Sequence, residues 1–411
     1  MTENIFPYEL PETWQWSLIG DVAKLSQGEK LSDKKFPYLN VKYLRGIAEK
    51  NLSDSGNFIK AGTKIILVDG ENSGEIFTTP EQGYMGSTFR TLEILSDVDE
   101  NFFVLFVSTK KDFYRKTKVG SAIPHLNKKL FYATPIPLPP IDEQKRIVAI
   151  IESLFEKLDA AKSIVQKILD GYELRRTAIL HKAFTGEITK NFRADSGLIL
   201  DDWQQKTLGE VCKKFVYGTS KKSKPDGKII VIRMGNLQCG EIDWKNLAYS
   251  DDEEDIKKYK LSAGDVLFNR TNSTELVGKT SIYRGEYPAI YAGYLIKLDY
   301  DKNILNGEYL NFILNSPKAR NYCDSVKSNA VNQSNINAKK ISNFEIPIPT
   351  LAEQKEIVRV LDSLLDKEQR TKTLAEKILS EIDLLKRTIL ARAFRGELGT
   401  NNPSEKLEAL Y

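Results

Sequence analysis

The feature that most constrains this chain is a stretch of about 52 residues that occurs twice. Ile136 to Glu187 opens IPLPPIDEQKRIV and closes AFTGE; Ile346 to Glu397 opens IPIPTLAEQKEIV and closes AFRGE. Aligned without a gap, at a period of about 210 residues, about 22 of roughly 52 positions are identical. The matches include Pro137/Pro347, Pro139/Pro349 and Gly186/Gly396, which shared helical composition does not explain. The chain is a tandem duplication, and its function is to be read as something done twice.

Each copy predicts a long helix. The prolines of IPLPP forbid helix through Pro140 and supply a stiff extended entry. Asp142 is the predicted N-cap, with Glu143 in the first turn where the helix dipole favours an acid. Ile147, Ile151, Leu154, Leu158, Ala161, Val165, Ile168, Tyr172 and Ile179 fall on alternating steps of three and four, a seam interrupted only at Arg175. Ile357, Leu361, Leu364, Ile378, Ile382 and Ile389 repeat it, with Glu368 and Thr371 weakening the middle. Gly186 is the predicted terminator. A helix of about 40 residues would be roughly 60 Å long. Neither stripe can be buried alone, and the comparable stripe is the other copy, so the two helices are expected to pack antiparallel as a coiled coil. The other reading is that each helix packs on its own neighbouring domain.

The regions between are β-rich. Tyr38 to Leu44, Thr63 to Asp69 and Thr88 to Leu95 have the β-branched and apolar content of strands, and Asn101 to Lys118 suits a helix with a basic far end. The second region repeats the first faintly: Leu208-Gly209-Glu210-Val211 echoes Ile19-Gly20-Asp21-Val22, Ile229 to Leu237 takes the place of Tyr38 to Leu44, and Ser262 to Phe268 matches Lys60 to Leu67. The predicted class is α+β: two β-rich mixed globular domains (1–140 and 190–349) separated by two long antiparallel helices (141–189 and 350–399), a pseudo-twofold tandem repeat with a polar tail at 400–411.

Composition excludes several functions. There is no run of about 18 apolar residues and no basic-then-apolar N-terminus, so neither a membrane span nor a secretory signal is expected. Three separated cysteines and two histidines form no zinc-ligand cluster, and they fit a reduced cytoplasm. Leu276 to Thr280, LVGKT, lacks the upstream glycine of a phosphate-binding loop. Pro225-Asp226 followed by Asp243-Trp244-Lys245 has the spacing of a Mg²⁺ nuclease, but it has no counterpart in the first half, and so loose a pattern arises easily among 56 acids and 60 bases. No catalytic constellation is found and no metal site is expected.

The net charge of +4 permits nucleic-acid binding only through local basic surface. Lys110, Lys111, Arg115 and Lys116 surround Phe113 and Tyr114, with Lys128 and Lys129 close behind. Lys213, Lys214, Lys221 and Lys222 bracket Phe215 and Tyr217, and Lys339 and Lys340 mirror Lys129-Leu130. Such lysines would neutralise phosphates, while residues on turns would read base edges. The turn-borne candidates are Ser87, Thr88 and Arg90 in the first domain, and Arg270, Thr271 and Asn272 in the second.

The conjunction of IPLPP-x-x-EQ opening a long helix, AF-x-GE closing it, and repetition of both after a diverged β-rich domain resembles the specificity (S) subunit of type I restriction-modification systems. Gly120 to Lys129 and Ala263 to Arg270 also look like landmarks of that family. The resemblance implies that each globular part is a target recognition domain reading one half of an asymmetric bipartite double-stranded DNA site. The helices would set the spacer, holding two readers about one helical turn (near 34 Å) apart, and would dock two methyltransferase (M) subunits. S-adenosylmethionine, ATP and Mg²⁺ would reside on partners, the M subunits and two restriction (R) subunits, with no cofactor on this chain. The competing readings are a self-contained Mg²⁺ nuclease and a coiled-coil scaffold that does not bind DNA.

Overall fold

The computed structural model describes residues 6–120, 124–330 and 333–399. The first residues of the N-terminus, part of Gly120 to Lys129 and the polar tail lie outside the described residues. The chain divides into two compact units, residues 1–166 with 377–411 and residues 167–376. Each therefore takes one globular domain and a piece of both repeat helices.

The globular domains share one topology despite their diverged sequences. In the first unit an antiparallel sheet runs in the order Ala23–Ser26, Phe89–Ile94, Lys64–Leu67, Ile76–Thr78. In the second unit the order is Cys212–Tyr217, Leu295–Tyr300, Asp265–Asn269, Thr280–Tyr283, with the same sequence of connections. A second sheet recurs too: Glu29–Leu39 pairs antiparallel with Leu52–Ile59 and parallel with Gly83–Met85, as Ile229–Ile232 does with Tyr249–Ser250 and Ala289–Tyr291. Three stretches depart from the sequence expectation. The strand expected over Tyr38 to Leu44 stops at Leu39, because the Asn40 side chain accepts from Tyr43 N at 3.0 Å and caps a short helix. Likewise Asn236 accepts from Arg233 N and turns the chain after Ile232. The helix expected from Asn101 to Lys118 is two helices, Glu100–Thr109 and Lys111–Lys116.

The proline-rich entries are β-strands. Pro135–Leu138 pairs with Gln15–Leu18, and Glu345–Ile348 with Gln204–Thr207, both antiparallel. Each helix then starts two residues earlier than an N-cap at Asp142 predicts, at Ile141 or Leu351; Pro140 O accepts from Glu143 N and Gln144 N, and Thr350 occupies the equivalent place. Immediately inside the helix lies the glutamine of the EQ pair. Gln144 is buried; its amide donates to Pro139 O (2.9 Å) and Asp97 O (3.3 Å), and its oxygen accepts from Asp99 N (2.8 Å). Gln354 does the same with Pro349 O (2.9 Å), Ile304 O (2.8 Å) and Asn306 N (2.7 Å). Asp99 and Asn306 are themselves the N-caps of the next helices, Glu100–Thr109 and Gly307–Leu314. One side chain thus fastens strand, long helix and domain helix together, twice.

The expected seam divides into three environments. Ile147 and Ile151 are buried in the core of the first globular domain, and Ile357 and Leu361 in that of the second. Further along, Val165 and Ile382 are buried, while Leu154, Leu158, Leu364, Ile378 and Ile389 are half-buried. Ile168 is exposed and does not belong to a buried seam. Within each unit the two helices run antiparallel: Lys162–Asp383 (2.9 Å) and Asp159–Lys386 (2.5 Å) set the register in the first, Arg175–Glu368 (2.9 Å) and Tyr172–Gln369 (2.9 Å) in the second. Two of the three seam-breaking residues, Arg175 and Glu368, are partners. The first helix is irregular one turn before Arg175. It breaks into Ile141–Asp170 and Tyr172–Phe184 at Gly171, where a Cβ would sit 2.6 Å from the Arg175 guanidinium that reaches back to Ile168 O. The second helix, Leu351–Ala393, is unbroken over 43 residues.

The helix ends are locked by the AF-x-GE closures. Gly186 and Gly396 adopt left-handed backbone (φ 79° and 75°), where a side chain would strike Leu200 and Arg193 in one copy and Pro11 in the other. In the first unit Phe394 packs edge-on to Phe102 and Phe106, both at 5.2 Å, and Tyr8 Oη donates to its carbonyl. In the second unit a buried ion pair forms: Glu353 accepts from Arg193 (2.6 Å), Thr189 (2.7 Å) and Trp203 Nε1 (2.9 Å). Breaking a buried pair of this kind from one side costs about 3–5 kcal/mol, and orphaning buried backbone groups about 1–3 kcal/mol. Glu353→Ala and Gln354→Leu should therefore both lower the unfolding midpoint in denaturant titrations, Glu353→Ala more. A midpoint unchanged for Gln354→Leu would refute its role as the fastening.

Candidate nucleic-acid interface

The sequence-predicted residues fall into those held by the fold and those left open. In the first unit Ser87 is exposed and Thr88 half-buried on the turn between Gly83–Met85 and Phe89–Ile94. Arg90 folds back on that turn, donating to Ser87 O (3.2 Å) and Phe89 O (2.6 Å). Lys110 is half-buried over the Phe106 ring (5.4 Å), and burial lowers its pKa. Arg115 is tied to the Asn72 side chain. Lys111 is half-buried, whereas Lys116, Lys128 and Lys129 are exposed and have no carboxylate partner among the described residues. His125 Nδ1 meets Asp69 Oδ1 at 2.7 Å, joining the turn after Lys64–Leu67 to the segment before the helix Lys128–Tyr132.

In the second unit Lys213 and Lys214 are exposed on Cys212–Tyr217, and Lys222 is open. Lys221 is not: it pairs with Asp252 (2.6 Å), and its neighbours Lys224 and Lys228 pair with Asp251 (2.9 Å) and Glu253. Hydrogen bonds to these carboxylates raise all three lysine pKa values, and the lysines in turn hold Asp251 and Asp252 below the usual range. This lysine run fastens its loop to the acidic stretch 251–255. Thr271 is likewise occupied, buried and accepting from Asn335 Nδ2 (2.7 Å), and Lys340 donates to Val326 O and Ser328 Oγ. Arg270 stacks its guanidinium 4.9 Å from the Tyr217 ring centre, Asn272 is half-buried beside it in sequence, and Lys339 is exposed. The structure also brings Arg233 and Lys279 to the same cleft as Asn272, which no local sequence pattern signalled.

Cys212 and Cys323 are buried, and burial pushes their thiols up to about 12 and about 11, far from the thiolate a nucleophile needs. Among the described residues no group of three or more His, Cys, Asp or Glu could hold a metal ion. Asp243, one of the two acids of the nuclease-like spacing, accepts from Lys245 N within its own turn (3.2 Å), and Asp226 is exposed. No helix among the described residues is long and apolar enough to cross a membrane.

This geometry, a duplicated β-rich domain on a duplicated helical frame, is that of a known family. The family described as Type I restriction modification DNA specificity domain matches residues 11–169 and 200–380, and the chain belongs to it. Among its relatives is the type I restriction enzyme MjaVIII specificity subunit of Methanocaldococcus jannaschii, 26% identical, with 91% of this chain and 92% of that protein covered. The EcoKI specificity subunit of Escherichia coli K12 is 25% identical over 95% of this chain and 90% of that one. The fold matches the HsdS subunit from Thermoanaerobacter tengcongensis with a TM-score of 0.63 at 21% identity, covering 97% of this chain and all of that one. A chain from a structure of type I R-M complex assembly and conformational transition matches with a TM-score of 0.72, also at 21% identity, over 95% of this chain and 100% of that one.

The division between open and paired lysines has a measurable consequence. Each phosphate contact contributes about 0.9 to the slope of log affinity against log salt. In a complex with DNA, Lys213→Ala with Lys214→Ala should flatten that slope by up to about 2, whereas Lys221→Ala should leave it unchanged. Equal flattening by Lys221→Ala would show that its ion pair opens on binding.

Proposed function

We propose that this chain is the DNA-reading subunit of a type I restriction-modification complex. Each globular domain reads one half of an asymmetric bipartite site in double-stranded DNA, and the repeat helices set the spacing and dock two methyltransferase subunits. Two restriction subunits complete the assembly. The chain itself contributes register and grip rather than catalysis; S-adenosylmethionine, ATP and Mg²⁺ belong to the partners, and the complex works on cytoplasmic DNA. Membership of the specificity-domain family supports this reading. So does the observation that carries it: two domains share strand order and the glutamine fastening, yet differ in the residues they leave open on their turns. A frame kept twice under two different surfaces is what reading two different half-sites requires.

The test is single-molecule sequencing of modified bases in host DNA with the gene present, deleted and restored. Loss and recovery of N6-methyladenine at one bipartite motif is the expected result. Methylation of the same motif in the deletion strain would sink the proposal. Cleavage of DNA by the purified chain with Mg²⁺ alone would favour the nuclease reading instead.

A further inference from the structure

Resting on the DNA-reading role just proposed, we infer that base reading in the second domain is carried by a cleft built around Arg233 and Asn272, with Lys245 and Lys279 gripping the flanking phosphates. The cleft has a volume of about 400 Å³ and lies between the turn Met234–Asn236, the loop after Glu241–Ile242 and the segment 272–279. Three of its side chains are cationic (Arg233, Lys245, Lys279) and one is acidic, Asp243, whose carboxylate accepts from a backbone N–H of its own turn. This surplus contrasts with the neighbouring lysines 221, 224 and 228, each paired with a carboxylate.

The cleft also keeps hydrogen-bonding capacity open. Arg233 donates one Nη2 bond to Asn246 O (2.6 Å), which aims its guanidinium, while its Nε is buried with no partner. The Asn272 oxygen accepts from Ser273 N (2.8 Å), and among the described residues its NH₂ group has no hydrogen-bond acceptor. Lys245 and Asn246 are exposed at the rim, and Asn246 holds left-handed backbone (φ 51°) that turns the loop around the opening. Lys279 donates to Gln238 Oε1 (2.9 Å), an exposed bond that exchanges readily for a phosphate. A planar guanidinium suits the O6 and N7 acceptors of guanine, and an asparagine amide suits N6 and N7 of adenine; lysines bind phosphates as point charges. The walls that aim Arg233 are fixed from behind, since Asn236 Nδ2 donates to the carbonyls of Asp243 (2.9 Å) and Lys245 (3.0 Å).

The experiment uses the chain co-expressed with its methyltransferase partner, and compares methylated motifs for the unaltered chain, Arg233→Ala, Asn272→Ala and Lys245→Ala. Arg233→Ala and Asn272→Ala should each relax one position in one half-site, by about 5- to 150-fold in base preference, and leave the other half-site intact. Lys245→Ala should keep the motif and lower the salt slope of binding by about 1. Because Arg233 also holds its loop, Asn272→Ala is the deciding variant. Normal methylation at an unchanged motif with Asn272→Ala would overturn the inference. The absence of any bipartite motif with the unaltered chain would overturn the underlying DNA-reading role, a separate result.

Discussion

The buried glutamine at the head of each long helix is the interaction on which the architecture depends. A backbone N–H or C=O taken out of water without a partner is costly, and three chain segments meet at this point with groups to satisfy. Only a side chain that both donates twice and accepts can close the junction alone, which glutamine does and glutamate cannot. Gln144 and Gln354 make the same three kinds of bond, to a proline carbonyl, a loop carbonyl and the N–H of a helix cap. The prolines before them remove competing N–H donors and hold the entry strand extended. The direction in which each long helix leaves its globular domain is thereby fixed locally, whatever happens to the domain's outer loops.

That separation explains how one frame can support two different surfaces. The four-stranded sheets recur in the same strand order, with cores filled by different residues: Phe89, Phe102 and Phe106 on one side, Phe268, Tyr309 and Ile313 on the other. The outward turns carry His125 and Asp69 in one unit and Asn335 and Thr271 in the other, at matching places and with matching side-chain bonds of 2.7 Å. Chemistry at these positions has changed while the connection has stayed. The lysine-rich run of the second domain shows the opposite case, in which charge that looks available in sequence is drawn into pairing with an acidic neighbour about 25 to 31 residues away.

The helices, their ends and the duplication were legible in the sequence because they rest on local rules: proline exclusion, apolar periodicity and a left-handed glycine. What could not be read were properties that depend on distant partners. Ile168 fits the periodicity but is exposed, and Arg175, which interrupts it, finds its partner in Glu368 on the other helix. The strand expected over Tyr38 to Leu44 yields halfway to an asparagine cap. Lys221, Thr271 and Lys340 looked open because their partners lie 31, 64 and 12–14 residues away. Arg233 and Lys279 join Asn272 in one cleft only after the second domain has folded, and nothing in their sequence neighbourhoods announces it.

The core of the first globular domain includes Ala393, Phe394 and Leu398, which are made long after the rest of that domain. A domain whose other residues are complete by Gln166 must therefore wait, during synthesis, for more than two hundred further residues before its final apolar surface is covered. Closing so long a loop costs only modestly more than closing a short one, since the entropy grows with the logarithm of length. The delay nonetheless leaves an aromatic pocket around Phe102 and Phe106 open on the nascent chain, exposed to a too-early encounter with another copy. A message truncated before codon 393 would release a first domain lacking its closing wedge, so that an error late in the chain would be felt near its beginning.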